Sequence, residues 1–167
     1  MDIVERLFEN EDVDPIDIVE TLAEHYDWDF DRITEDRIAM AIEGSWRTYG
    51  VTLSWTAFDE TLRIICSFDL SPPEAKLYKL LETLNLANNK VWNGSFVFAK
   101  KQNLMVFRYG MNLAGGARAS ANQIDSIVEN AISSCEQFYP AFQLACWGNE
   151  TPEESLLIAF DKSFGRA

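Results

Sequence analysis

The sequence predicts an α+β fold, an antiparallel sheet with helices packed mainly on one face. Three observations carry that prediction. Four segments open with helix-capping chemistry and continue with apolar residues three or four apart, the spacing of one helix face. Five other segments carry the two-residue period or the short apolar run of a strand. The two kinds follow the order α-β-β-β-α-β-β-α-α, and short turns join the consecutive strands. Strands joined that way pair antiparallel, so the sheet is expected to hold five of them.

The first helix opens at Asp14-Pro15. A carboxylate there can accept a hydrogen bond from an otherwise unpaired N–H, and proline loses nothing in a first turn. Its stripe is Ile16, Val19, Leu22, Ala23 and Tyr26. A three-strand meander follows. Ile38, Met40 and Ile42, then Tyr49, Val51, Leu53 and Trp55, then Leu62, Ile64, Cys66, Phe68 and Leu70 make one apolar face. The residues between them are mostly small or polar, so the other face is expected to be wet. Gly44-Ser45 and Asp59-Glu60 supply the turns.

Ser71-Pro72-Pro73-Glu74 reads as the capped start of the second helix, with the stripe Leu77, Leu80, Leu81, Leu84 and Ala87. Asn93-Gly94 then opens a second strand group. Residues 96–99 and 104–111 form a hairpin around 100–103. The later strand is apolar on both faces (Met105, Phe107 and Tyr109 against Leu104 and Val106), which places it inside the sheet. Ala114-Gly115-Gly116 ends it.

Ser120 and Gln123 form a capping box for the third helix. Its stripe runs from Ile124 through Ile127, Val128, Ala131, Ile132, Cys135, Phe138, Tyr139 and Phe142 to Cys146. Pro140 withholds a donor from the carbonyl of Glu136, so the helix is expected to kink or end there. Beyond it Ala141, Leu144, Ala145 and Trp147 make the segment apolar nearly all round, which demands burial on every side. The fourth helix, opening at Thr151-Pro152-Glu153-Glu154 with Leu156, Leu157 and Phe160 behind it, is the expected cover. A second chain is the alternative, and Ala141, Leu144 and Trp147 are candidates for a partner surface on that account.

A chain of 167 residues fits one domain, 1–167. Its charge is unevenly laid out. Residues 1–43 hold fifteen acids and three bases, whereas residues 75–118 hold seven bases and one acid. The whole chain, at −13, repels nucleic acid, and only the middle does not. That middle segment interleaves bases with Trp92, Phe96, Phe98, Phe107 and Tyr109 but lacks the dense pattern of an RNA-reading sheet, so nucleic acid is not the expected partner. Lys100, Lys101 and Arg108 are instead candidates for a charged protein-binding surface. The N-terminus has no secretory or transit character, and the longest uncharged run, 13 residues, is too short to span a bilayer. Three scattered cysteines make no disulfide framework. These features predict a cytoplasmic protein.

Several stretches are similar to the YbjN family, described as "putative bacterial sensory transduction regulators". They are DPIDIVETLAEHYDWDF, EGSWRTYGVTLSW, LNLANNKVWNGSFVFAKKQNLMVFRYGMNLAGG, CEQFYPAFQLACWG and the PEES segment, in that order. The resemblance covers nearly the whole chain. It implies a fold like that of type III secretion chaperones, small and often dimeric proteins that hold extended segments of others. It therefore implies a homodimer and a protein partner.

The residues offer no catalytic signature. His25 stands alone at the end of a helix, with no metal-ligand cluster around it. Cys135 and Cys146 lie on an apolar stripe, where thiols act as small hydrophobes rather than nucleophiles. Asp59-Glu60 and Glu153-Glu154 already have structural reasons, in a turn and a capped first turn. GGARAS lacks the lysine and spacing of a phosphate loop. No catalytic residue, metal ligand or cofactor site is assigned. The sequence, with the resemblance, points to a non-enzymatic protein-binding or regulatory module, chaperone-like or in sensory signalling. A small-molecule receptor or enzyme, with its pocket between sheet and helices, is the alternative.

Overall fold

The computed structural model describes residues 14–164, with side chains through residue 161. Helix α1 (Pro15–His25) starts as its sequence requires, with the Asp14 carboxylate accepting from the N–H of Ile16 at 2.8 Å. Its apolar face is fully buried. The helix ends by reversal: Asp27 takes a φ of 56°, and the N–H of Trp28 turns back to the carbonyl of Ala23 at 2.9 Å.

Among the described residues six strands follow rather than five, so the order there is α-β-β-β-β-α-β-β-α-α. They are β1 (Asp29–Thr34), β2 (Arg37–Glu43), β3 (Thr48–Thr56), β4 (Thr61–Asp69), β5 (Ser95–Ala99) and β6 (Leu104–Asn112), ordered β1-β2-β3-β4-β6-β5 in one antiparallel sheet. Strand β6 is interior, as its two apolar faces demand. The strand missing from the sequence reading is β1, an edge strand with a register shift between Arg32 and Thr34. Its inward positions are Phe30, half-buried, and Arg32, which bonds Asp17 at 2.9 Å and Glu20 at 2.6 Å on α1. An edge strand held partly by ion pairs carries little apolar alternation to read.

Helix α2 (Leu77–Asn88) follows a 3-10 turn at Glu74–Lys76, and α3 (Ala121–Trp147) and α4 (Pro152–Phe164) are the last helices of the described residues. Ser71 does not cap α2, and no side chain caps the 3-10 turn either. The reason is the second proline: a residue before proline is driven out of helical space, so Pro72 stays extended. The stripe of α2 also turns slightly. Leu81 is exposed, and Thr83 is buried with its hydroxyl donating to the carbonyl of Lys79 at 2.7 Å. At the far end of α2 the Asn88 amide donates to the carbonyl of Phe96 and accepts from its N–H, at 3.0 and 2.7 Å.

The helices cover one sheet face, where Ile38, Met40, Val51, Leu53, Ile64, Cys66, Phe107 and their neighbours form the core with α1 and α3. The opposite face, carrying Ile65, Val97 and Arg108, is open. Helix α3 runs through the middle of the helical layer. Pro140 does not end it, although the carbonyl of Glu136 loses a partner. Phe138, Ala141 and Phe142 are buried on both sides of the proline, and their packing outweighs its roughly 3 kcal/mol penalty. The Ser120–Gln123 and Thr151–Glu154 capping boxes both form.

Candidate functional site

A groove of about 710 Å³ opens between the end of α1, the β2–β3 turn and one face of α3. Helical spacing puts Asp125, Glu129, Ile132, Ser133, Glu136 and Pro140 on that face. The opposite wall is aromatic. Reversal at Asp27 sets Tyr26 and Trp28 side by side, stacked with their centroids 4.8 Å apart. The Tyr26 hydroxyl donates to Asp125 at 2.9 Å, tying this pair to the start of α3.

Trp46 supplies the third ring, stacked on Tyr139 with centroids 6.1 Å apart. Its turn is latched by Glu136, whose carboxylate accepts from the backbone N–H of Ser45 and, at 3.3 Å, of Trp46. Gly44 makes the close approach feasible, since a Cβ there would run into the Glu136 carboxylate and the Tyr49 ring. Behind them the Tyr49 hydroxyl is buried without a well-formed hydrogen bond. Burial first, and the Glu136 carboxylate second, push its ionisation far above the usual phenol range.

The candidates from sequence fall elsewhere. His25 is exposed at the end of α1, its ring edge-on to Tyr26 at 5.1 Å. The cysteines are all buried. Cys66 and Cys135, remote in sequence, bring their sulfurs to 3.6 Å between sheet and α3. That contact, then burial, pushes the Cys135 thiol well up. Asp59 pairs with Arg63 beside a turn in which Glu60 takes a φ of 49°. Glu154 belongs to a capping box. Ala114–Gly116 is a 3-10 turn. Lys100 and Lys101 are exposed at the β5–β6 hairpin tip, and Arg108 is exposed on the open sheet face. Other bases of the middle segment are engaged locally: Lys76 and Lys79 reach the carbonyl of Gly148 at the end of α3, and Lys90 lies 5.1 Å over the Phe160 ring. Ala141 is fully buried within its own chain and drops out as a surface residue, because the sheet and the neighbouring helices enclose α3 there. Leu144 is half-buried, and Trp147 is 55% exposed. Among the described residues no helix is long and apolar enough to cross a membrane.

Burial of the thiols gives a pH prediction. Burial pushes Cys146 up to about 11, against the pull of Lys79. Cys135 and Tyr49 shift the same way. The folded chain therefore holds protons that the unfolded chain releases above the ordinary thiol value of 9.0. Stability contributed by Cys146 is complete below that value and is lost as pH rises toward about 11. The urea midpoint should be lower at pH about 10 than at about 8, and Cys146→Val should reduce the difference while Cys135 and Tyr49 keep the rest.

Sequence reasoning did not assemble the groove. Asp125, Glu129 and Glu136 do repeat at helical spacing as a polar line on α3, which is a usable signal. What faces that line comes from residues 90 or more positions away.

The family model described as "YbjN: Putative bacterial sensory transduction regulator" matches residues 15–144. Among solved structures, the chain is similar to the crystal structure of YbjN from E. coli, described as "a putative transcription regulator". The TM-score is 0.51, with 92% of this chain and 94% of that chain covered at 8% identity, a likeness of fold. No curated protein matches the chain.

Proposed function

The chain belongs to the YbjN family, and we propose that it is a non-enzymatic binding module in a regulatory pathway, with the groove beside α3 as its recognition site. The observation that supports this reading most is the make-up of the groove. Three aromatic rings and a polar helix face converge on a space large enough for a ligand or a short segment of a partner. The thiols, the groups best suited to nucleophilic chemistry, are buried away from it. The exposed Lys100–Lys101 tip and the open sheet face with Ile65, Val97 and Arg108 support a protein partner, including a second copy of the chain.

The test is retention. Tagged full-length protein is cross-linked briefly in its native cells, and what it holds is identified together with what Ser133→Arg holds. Ser133 is exposed in the groove, so arginine there fills the space without entering the core. The expected result is a molecule retained by the parent and by Trp92→Ala, whose ring lies outside the groove, but lost from Ser133→Arg. Lys100→Glu/Lys101→Glu reports separately on the hairpin. Unchanged retention by Ser133→Arg would remove the groove from the function.

A further inference from the structure

We propose that the open sheet face is where two copies of the chain meet, packed face to face about a two-fold axis that runs along the strands between β3 and β4. This inference rests on the reading of the chain as a binding module and names a second copy as what covers that face.

The register shows why the face fits itself. Side chains directly opposite in paired strands share a face, so the outward residues form rows across the sheet. One row, from β1 to β5, is Asp31, Ala39, Thr52, Ile65, Arg108 and Ser95. The next is Asp29, Ala41, Gly50, Ser67, Val106 and Val97. Alanine, glycine and threonine keep both rows low on β2 and β3, whereas Ile65, Val106 and Val97 raise them on β4, β6 and β5. A two-fold interface must be complementary to itself. The proposed axis sets β6 of one copy over β2 of the other, and β4 over β3. Val106 then enters the hollow above Ala41, and Ile65 meets Thr52. Ile65 is 43% and Val97 37% exposed, so apolar surface is there to bury.

Charge follows the same division. Asp29, Asp31 and Glu43 are exposed on the β1–β2 side, and Lys100, Lys101 and Arg108 on the β5–β6 side. None of the six has an ion-pair partner among the described residues. The axis lays the basic side of each copy over the acidic side of the other, so every attraction occurs twice. Arg108 reaches Asp31 along the shared row, and the hairpin lysines come over the Glu43 end of β2. Arg63, also on this face, is held by Asp59. A uniformly acidic or basic partner would be repelled by one half of the face, and a second copy satisfies both halves. Six strands about 4.8 Å apart and up to nine residues long give a face of roughly 25 by 20–30 Å, so two faces together cover over about 1,000 Å², enough for a specific interface.

Sedimentation velocity and light scattering on the purified full-length protein, from roughly 1 to 100 μM, would measure the association. The expected result is a reversible dimer that salt weakens. Ala41 is exposed, so Ala41→Arg fills the hollow without entering the core and should weaken the dimer about tenfold or more. Asp31→Arg and Arg108→Asp should each weaken it severalfold, and the two together should restore it to within about threefold of the parent. Within one chain these residues stand four strand spacings apart, about 19 Å, so such rescue acts between copies. A monomer throughout the range, with a native melting profile, would overturn the proposal. A dimer indifferent to Ala41→Arg, or natively melting reversals without rescue, would overturn it as well. So would a monomer that cross-links through this face to a different protein in cells. Ala41→Arg should still retain whatever Ser133→Arg loses, so failure of the dimer leaves the groove reading standing, and failure of the groove leaves the dimer standing.

Discussion

Replacing Phe142 with alanine should lower the unfolding free energy by about 3–5 kcal/mol. The ring is fully buried, with its centroid 5.1 Å from that of Phe96 and 6.5 Å from that of Phe68. It lies two residues beyond Pro140, in the stretch whose apolar surroundings could have been supplied by a second chain or by the chain itself. Urea unfolding at low protein concentration separates the two. A large loss, independent of concentration, belongs to an intramolecular core. A loss below about 1 kcal/mol would mean that the site collapses onto itself or is not core. Trp147→Ala, on the same helix but 55% exposed, is the comparison and should change stability far less.

Gly94→Ala should be comparably damaging for a different reason. Gly94 has a φ of 133°, which residues with a side chain rarely adopt. A Cβ there would collide with the Phe107 ring and lie 2.9 Å from the carbonyl oxygen of Arg108. Backbone strain of about 1–3 kcal/mol and overpacking of about 1–3 kcal/mol act together. A carbonyl in the sheet cannot step aside as the end of a flexible side chain could. The melting temperature of the variant should fall by several degrees. Gly50→Ala, where the new Cβ meets Ser67 Oγ at an ordinary 3.5 Å, should change it little.

The fold was legible wherever local chemistry decided it. Asp14, Ser120 and Thr151 cap as their sequences say, because a cap and its partner are two or three residues apart. Alternation in β2, β3 and β4 held because one face is buried and the other is not. What escaped was decided at longer range. Strand β1 is fastened by Arg32 to Asp17 and Glu20, charges that read as solvated surface. Pro140 reads as a helix breaker until the packing on both sides is known. The groove needs Tyr26 to meet Asp125 across 99 residues and Ser45 to meet Glu136 across 91, and no periodicity encodes such meetings.

The Asn88 amide bonded to Phe96 bears on behaviour at high concentration. Sheets aggregate by adding strands at their borders, where rows of peptide groups await partners. At the β5 border the peptide groups of Phe96 are already occupied by a side chain that imitates a neighbouring strand. At the β1 border the register shift and the outward carboxylates of Asp29 and Asp31 spoil the template. Each border of the sheet therefore carries a feature that opposes the addition of a further strand.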